Sequence, residues 1–233
     1  TTAVQIALRS GVSIITGGPG TGKTTVIRTL LSILEGSGLK TAVAAPTGRA
    51  AKRVMETSGH YACTIHRLLE YYYDEATGGM SFGRNALQPL EYQAVIIDEA
   101  SMMDLLLAEA LCDALQQGTR LILVGDADQL PSVGPGNVFL DILRSNRVAV
   151  VRLTEIFRQT ADSRIVRCAL QINQGEHPNL AENKGDLFFL RRRDAGAAVD
   201  TVVELCERRL PGKMGIPPQD IQVLAPSRRQ EAG

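Results

Sequence analysis

Apolar positions along the chain fall into two rhythms. Five short, nearly continuous apolar runs stand out: Val12–Thr16, Thr41–Ala45, Ala94–Asp98, Leu121–Gly125 and Val148–Leu153. Runs of this length without polar alternation read as strands buried on both faces. Between several of them lie stretches with helical spacing, such as Thr24–Leu34 and Ala161–Gln174. Asp162 is placed to cap the start of the second helix, and Gly175 to cap its end. Strands alternating with helices predict an α/β fold, a parallel sheet covered by helices on both faces.

Two segments break this rhythm. Glu70–Pro89 carries aromatics on both sides of Thr77-Gly78-Gly79 and reads as a β-hairpin inserted before the next core strand. A plain loop insertion is the simpler alternative. After the Gly/Pro/Asn-rich stretch from Gly175 to Gly185 the pattern restarts, with Leu187–Arg191 as a strand, Ala195–Leu210 as a helix and Ile221–Ala225 as a strand. Two strands and one helix are too few to bury a core alone. The expected division is a first domain over 1–178, with the hairpin inserted at about 70–89, and the beginning of a second over 179–233.

Composition narrows the picture. The chain has 233 residues, enough for one full domain and part of another. Lys+Arg and Asp+Glu number 25 each, which excludes a global basic field but leaves room for a local basic groove. There is no tryptophan, so any stacking on bases must use few residues. Cys63, Cys112, Cys168 and Cys206 form no CxxC pair and suit neither a zinc site nor a disulfide framework. Reduced thiols fit a cytoplasmic protein. No apolar run reaches membrane-span length, and "TTAVQIALRS" has neither a signal-peptide pattern nor an initiator Met, as in a fragment or a processed chain.

The chemistry begins at "GGPGTGKTT". Gly17, Gly22, Lys23 and Thr24 fit G-x-x-x-x-G-K-[ST], between a strand and a helix. Glycines let backbone N–H groups close around phosphate oxygens. Lys23 adds charge toward the β- and γ-phosphates, and Thr24 offers a hydroxyl to Mg²⁺. The expected nucleotide set is Gly18, Pro19, Gly20, Thr21, Gly22, Lys23, Thr24 and Thr25. "AVIIDEAS" ends a buried strand in Asp98, a metal carboxylate, and Glu99, a general base for an attacking water. Gln129 in "GDADQLPSVGPG" is placed to sense a γ-phosphate, and Arg158 in "LTEIFRQ" to stabilise transition-state charge. Pro46, Thr47, Gly48 and Arg49, followed by Lys52 and Arg53, open a basic helix suited to phosphate contact, and "CTIHRLL" adds Thr64 and His66.

This ordered set resembles the superfamily 1 helicases, most closely the RecD/TraA-type DNA helicases, which include the alpha subunit of exodeoxyribonuclease V. The motifs run in family order from Gln5 to Gln159, and the resemblance is weakest in Glu70–Pro89 and after Gly175. It implies a RecA-like P-loop NTPase domain followed by the start of a second. It implies that Gln5 reads adenine, so that the cofactors are ATP and Mg²⁺ held by Thr24 and Asp98. Lys23, Asp98, Glu99, Gln129 and Arg158 become the catalytic set. Pro46, Thr47, Gly48, Arg49, Thr64 and His66 border single-stranded DNA. The hairpin sits where the family carries a pin that splits the duplex. The implied activity is ATP-driven 5′–3′ translocation on single-stranded DNA and unwinding of forked DNA in recombination and repair.

The resemblance also sets limits. The later motifs of a complete motor are not found here, so weak nucleotide binding without unwinding is expected of this chain. Nuclease–helicase subunits are the expected partners, and a membrane is not. Two other readings stand beside it. A P-loop kinase would need an acceptor pocket, and Glu99 after Asp98 argues against it. A nucleotide-gated DNA-binding subunit of a nuclease–helicase complex, with little activity alone, is the second.

Overall fold

The computed structural model describes residues 2–155 and 163–225. They form two compact units, residues 1–176 and 177–233. In the first, α1 (Thr2–Arg9) precedes β1 (Val12–Gly17), α2 (Lys23–Gly36), β2 (Thr41–Ala45), α3 (Gly48–Ser58), β3 (Cys63–Thr64) and α4 (Ile65–Leu68). A hairpin of β4 (Tyr71–Asp74) and β5 (Gly79–Phe82) comes next. Then follow β6 (Ala94–Ile97), α5 (Leu105–Asp113), β7 (Arg120–Gly125), α6 (Val138–Ser145), β8 (Ala149–Leu153) and α7 (Arg164–Asn173).

Six strands form one parallel sheet in the order β3-β2-β6-β7-β1-β8. Each apolar run divides its side chains between two cores, because neighbours on a strand point to opposite faces. Ile14, Ala42, Ala44, Val95, Ile97, Leu121 and Leu123 face a core closed by Ile65 and Leu69, Leu107 and Leu111 of α5, and Phe139 and Leu143 of α6. Ile15, Val43, Ile96, Ile122 and Val124 face the other, closed by Ala7 of α1, by Ile27, Leu30, Leu31 and Leu34 of α2, and by Val54 of α3. A strand covered on both sides cannot alternate apolar with polar, which is why these runs are continuous.

Some boundaries differ from the sequence expectation. The last core strand starts at Ala149, and β6 stops before Asp98. Helix α7 begins at Arg164 with the Ser163 hydroxyl as its cap, accepting from the Val166 N–H at 3.2 Å. Asp162 lies outside the described residues. Gly175 takes the left-handed conformation expected after the helix, with φ 77°. The strand β3 went unread because two residues carry no periodicity.

The second unit corrects two expectations. Neither Leu187–Arg191 nor Ile221–Ala225 is a strand; Lys184 and Leu187 form only an isolated bridge. The apolar residues behind those readings, Phe188, Phe189, Leu190, Val223 and Leu224, are exposed. A buried-type strand needs a neighbouring strand, and the described residues of this unit form none beside these segments; the Phe189 N–H donates instead to Asn183 Oδ1 at 2.9 Å. The helix is present as α8 (Ala195–Glu204), capped by Asp194, and continues through a wider turn at Leu205–Arg209 into α9 (Leu210–Met214). No helix among the described residues is long and apolar enough to cross a membrane.

Candidate nucleotide and nucleic-acid site

All the loops that carry the motifs leave the C-terminal ends of parallel strands, where α/β sheets form crevices. The phosphate loop follows β1, whose last residue, Gly17, lies beside Leu153 of β8. Gly20 and Gly22 have φ of 74° and 86°, a region that glycine enters without steric cost. Gly22 caps α2, whose first turn holds no acidic residue, so its unpaired N–H groups are left for an anion. The Thr21 hydroxyl donates to the Gly18 carbonyl at 2.8 Å. The Lys23 ammonium folds over the loop, donating to the carbonyls of Gly17 at 2.7 Å and Gly18 at 3.1 Å.

The acidic pair follows β6, which is separated from β1 by β7. The Asp98 N–H is tied to the Ala44 carbonyl of β2 at 2.9 Å, and its carboxyl is buried. Burial pushes that carboxyl up to about 6, and the neighbouring Glu99 charge acts in the same direction. A backbone hydrogen bond at Glu99 and the charges of Lys23 and Arg53 act against it. Glu99 has φ 51°, a conformation costly for a residue with a side chain and frequent where function fixes the backbone. Its Oε2 is buried without a hydrogen-bond partner.

Beyond β7, the Ala127 N–H donates to the Thr16 hydroxyl at 3.1 Å, tying this loop to the end of β1. Asp126 is buried and accepts from the Asp128 N–H at 3.1 Å, while Gln129 is exposed. Gln129 and Asp126 line a cleft of about 430 Å³ with Gly17, Gly18, Arg152 and Leu170. A second cleft of about 760 Å³ adjoins the same loop and is lined by Gln5 and Leu8 of α1, Thr25 and Val26 of α2, and Val151–Thr154. Thr21, Arg152, Leu153 and Thr154 border both. Arg152 was missed in the sequence. Its signal was a single charge inside the apolar run of β8, beside Thr16 in register. Arg158 lies outside the described residues.

The other residue set gathers at the same end of the sheet. Ala45 pairs with Thr64, so Pro46, Thr47, Gly48 and Arg49 begin beside the start of α4. The Thr47 hydroxyl accepts from the Ala50 N–H at 3.2 Å, and the Thr64 hydroxyl from the Arg67 N–H at 3.1 Å. Both cap helices, and each keeps its own proton for an outside acceptor. His66 is exposed and packs edge-on against Tyr71, with ring centres 5.0 Å apart.

No group of three or more His, Cys, Asp or Glu side chains among the described residues is arranged to hold a metal. Mg²⁺ bound together with a nucleotide needs less: one or two carboxylates, a hydroxyl and phosphate oxygens. The orphaned Glu99 oxygen and the buried Asp98 carboxyl fit that chemistry, with Thr24 beside Lys23 at the start of α2.

A family model for an AAA domain matches residues 1–190. The ATP-dependent RecD2 DNA helicase of Deinococcus radiodurans is 37% identical over 220 residues, covering 94% of this chain and 28% of that protein. The RecBCD enzyme subunit RecD of Mycobacterium tuberculosis is 40% identical over 164 residues, covering 60% of this chain and 28% of that protein. The chain thus spans just over a quarter of the length of these curated relatives. Among solved structures, the Pif1 helicase from Candida albicans superposes with a TM-score of 0.57 at 24% identity, over 83% of this chain and 48% of that one, a likeness of fold. The chain belongs to this AAA domain family, which implies nucleotide use, and its relatives make it RecD-like, of the superfamily 1 type.

Proposed function

We propose that this chain is the ATP-binding part of a DNA helicase motor. The observation that carries the reading is the convergence of three strand ends. Lys23 after the phosphate loop, buried Asp98 with half-buried Glu99, and the Gln129 loop tied to Thr16 all follow the C-terminal ends of the neighbouring strands β1, β6 and β7. In this reading Gln5 and Thr25 hold adenine in the larger cleft, and the loop from Gly18 to Thr24 holds the phosphates. Thr24 and Asp98 hold Mg²⁺, which neutralises phosphate charge when bound. Glu99, with an unpaired buried oxygen, takes a proton from the attacking water. Gln129 carries the nucleotide state to its loop, and Arg158 adds charge at the γ-phosphate.

The starts of α3 and α4, from Pro46 to Arg49 and at Thr64 and His66, contact single-stranded DNA in this account. The hairpin splits forked duplex ahead of a motor that moves 5′–3′. The first RecA-like domain covers 1–178, and 179–233 begins a second. That protein acts in the cytoplasm in recombination and repair. The shared length with RecD of the RecBCD enzyme supports a second reading, in which the parent is a nucleotide-gated DNA-binding subunit of a nuclease–helicase complex.

ATP hydrolysis by this chain, with and without single-stranded DNA, tests the proposal beside Lys23→Ala and Glu99→Gln. Nucleotide binding with little turnover is expected, with binding lost in Lys23→Ala. Binding that is indifferent to Lys23 would overturn the assignment. DNA-stimulated turnover lost in both variants would mean that a complete site forms without further domains.

A further inference from the structure

The edge strand β3 is two residues long and pairs with β2 only at Ala44 and Ala45. The outer edge of β2 from Thr41 to Val43 therefore has no strand beside it. Native sheets cover such an edge with other groups. Here Tyr61, Cys63, Leu68 and Tyr92 line two adjoining cavities along it. The smaller, of about 130 Å³, lies against Ala42 and Val43. The larger, of about 360 Å³, is also lined by Lys40, just before β2, and Glu91, just before β6. It thus starts at the end of the strands opposite to the phosphate loop. None of the nucleotide or nucleic-acid residues lines either cavity.

The charges of the larger cavity are uneven. Lys40, Arg67 and Arg84 line it with two carboxylates, Glu70 and Glu91. Glu70 is committed to Arg84, whose Nε donates to Glu70 Oε1 at 2.9 Å and whose second terminal nitrogen lies at the same distance. Glu91 is exposed and acts on Arg84 as well. Lys40 and Arg67 are left as cations without an ion pair among the described residues. Both stand on fixed backbone. The Lys40 N–H donates to Gln93 Oε1 at 2.6 Å, and its carbonyl accepts from the Gln93 N–H at 2.9 Å. The Arg67 N–H donates to the Thr64 hydroxyl at 3.1 Å. Burial pushes the Cys63 thiol up and the Arg67 charge acts against it, so the guanidinium is near the thiol side of the cavity.

The rings complete the site. Neither Tyr61 nor Tyr92 packs against another ring among the described residues, and Tyr61 is 66% exposed. A guanidinium fork and an ammonium on two separate elements suit one doubly charged head better than a single carboxylate. Tyrosine faces suit a flat apolar body. A cavity of this size holds a small organic molecule.

We propose that the cavity beside β3 is a second ligand site, for a small phosphate monoester with a flat organic part. The phosphate lies between Lys40 and Arg67, and the flat part against Tyr61 and Tyr92. The site is separate from the phosphate loop and does not rest on the reading of that loop.

The test follows alkylation of Cys63 by N-ethylmaleimide in the whole chain, read by peptide mass spectrometry, with phenyl phosphate as the probe. Cys112, exposed and outside both cavities, is the internal control. With probe at about ten times its dissociation constant, Cys63 should react about tenfold more slowly and Cys112 as before. Rates are compared with and without probe in each variant, because the Arg67 charge itself acts on the thiol. Lys40→Gln and Arg67→Gln should each lose the protection, and Lys23→Ala should keep it. Protection absent in wild type, or equal at Cys112, overturns the site. So does protection that survives both cavity substitutions or vanishes in Lys23→Ala. Equal protection by benzoate overturns the phosphate head. Should Cys63 react too slowly to follow, the thermal midpoint of Lys23→Ala carries the same test. Phenyl phosphate should raise that midpoint, adding Arg67→Gln should abolish the rise, and no rise overturns the proposal.

Discussion

Gly134 lies so close to Asp104 that a methyl group on its α-carbon would sit 2.1 Å from an Asp104 carboxylate oxygen and 2.8 Å from Asp104 Cβ. The oxygen belongs to a flexible end and could swing away, but the Cβ cannot. Asp104 is also held, since Oδ1 caps α5 by accepting from the Leu107 N–H at 2.8 Å. The Leu105 N–H donates to the Pro135 carbonyl at 2.8 Å, so the loop after Gln129 is strapped to the start of α5.

Gly134→Ala should therefore lift this loop from α5. The expected cost is about 1–3 kcal/mol, the usual price of overpacking combined with a disturbed cap. Gly36→Ala is the matched control. It ends α2, a methyl group there meets nothing within 4 Å, and no change or a small gain is expected. Urea denaturation of the two variants reads the difference. Equal midpoints would show that the strap is slack.

Gly17→Ala is expected to damage the nucleotide site more than the fold. An added Cβ would lie 2.6 Å from the Thr21 hydroxyl oxygen and 2.8 Å from the Leu153 carbonyl oxygen. The carbonyl belongs to β8 and is fixed by pairing, so the loop must move instead. Thr21, whose hydroxyl braces Gly18, moves with it. Titration with a fluorescent ATP analogue should show affinity reduced by tenfold or more, about 1.4 kcal/mol. Unchanged affinity would mean that the loop tolerates the shift.

The sequence made the core legible wherever burial is two-sided. Ile14 and Ile15, or Ile96 and Ile97, could only be a continuous apolar pair if both faces of the strand were covered, and both are. The hairpin was readable from its tyrosines and its Thr-Gly-Gly turn. Phe188, Phe189 and Leu190 misled, because an apolar triplet does not carry its own pairing partner, and here it stays exposed. At the site, residue types named Lys23, Asp98 and Glu99. The positive φ of Glu99 and its unpaired oxygen are products of the β6 turn and have no local signature. Arg152 became visible only when β8 was seen to lie beside β1.

Gln5 is exposed on α1 and shares a cleft with Thr25 and Val26. An amide that reads a base by hydrogen bonds gives discrimination that apolar walls cannot give. Gln5→Ala should weaken ATP binding by about tenfold and narrow the gap between ATP and GTP. Competition of the two nucleotides for the same fluorescent analogue measures both effects. A variant that still separates ATP from GTP as wild type does would place base recognition elsewhere.

Asp98 supplies a prediction whose sign is fixed by its burial. In the folded chain its carboxyl titrates at about 6, above the usual value of about 3.9. Below about pH 4 it is protonated whether folded or unfolded, and its charge costs nothing. Between about 4 and 6 the unfolded chain releases the proton while the folded chain keeps it, so stability falls as pH rises through this window. Above about 6 the loss levels off, at roughly 2–3 kcal/mol for a shift of about two units. Asp98→Asn cannot ionise. In chelator-treated, nucleotide-free protein its stability should rise relative to wild type across that window and stay ahead above it. Urea denaturation at several pH values measures the gap, and parallel profiles would sink the idea. Adding Mg²⁺ and ATP should close the gap from the other side, because a ligand that binds only the folded, charged wild-type site stabilises it by mass action. The substitution that stabilises the empty protein is thus expected to weaken the loaded one, with Asp98 carrying a cost in the fold for the charge that the site uses.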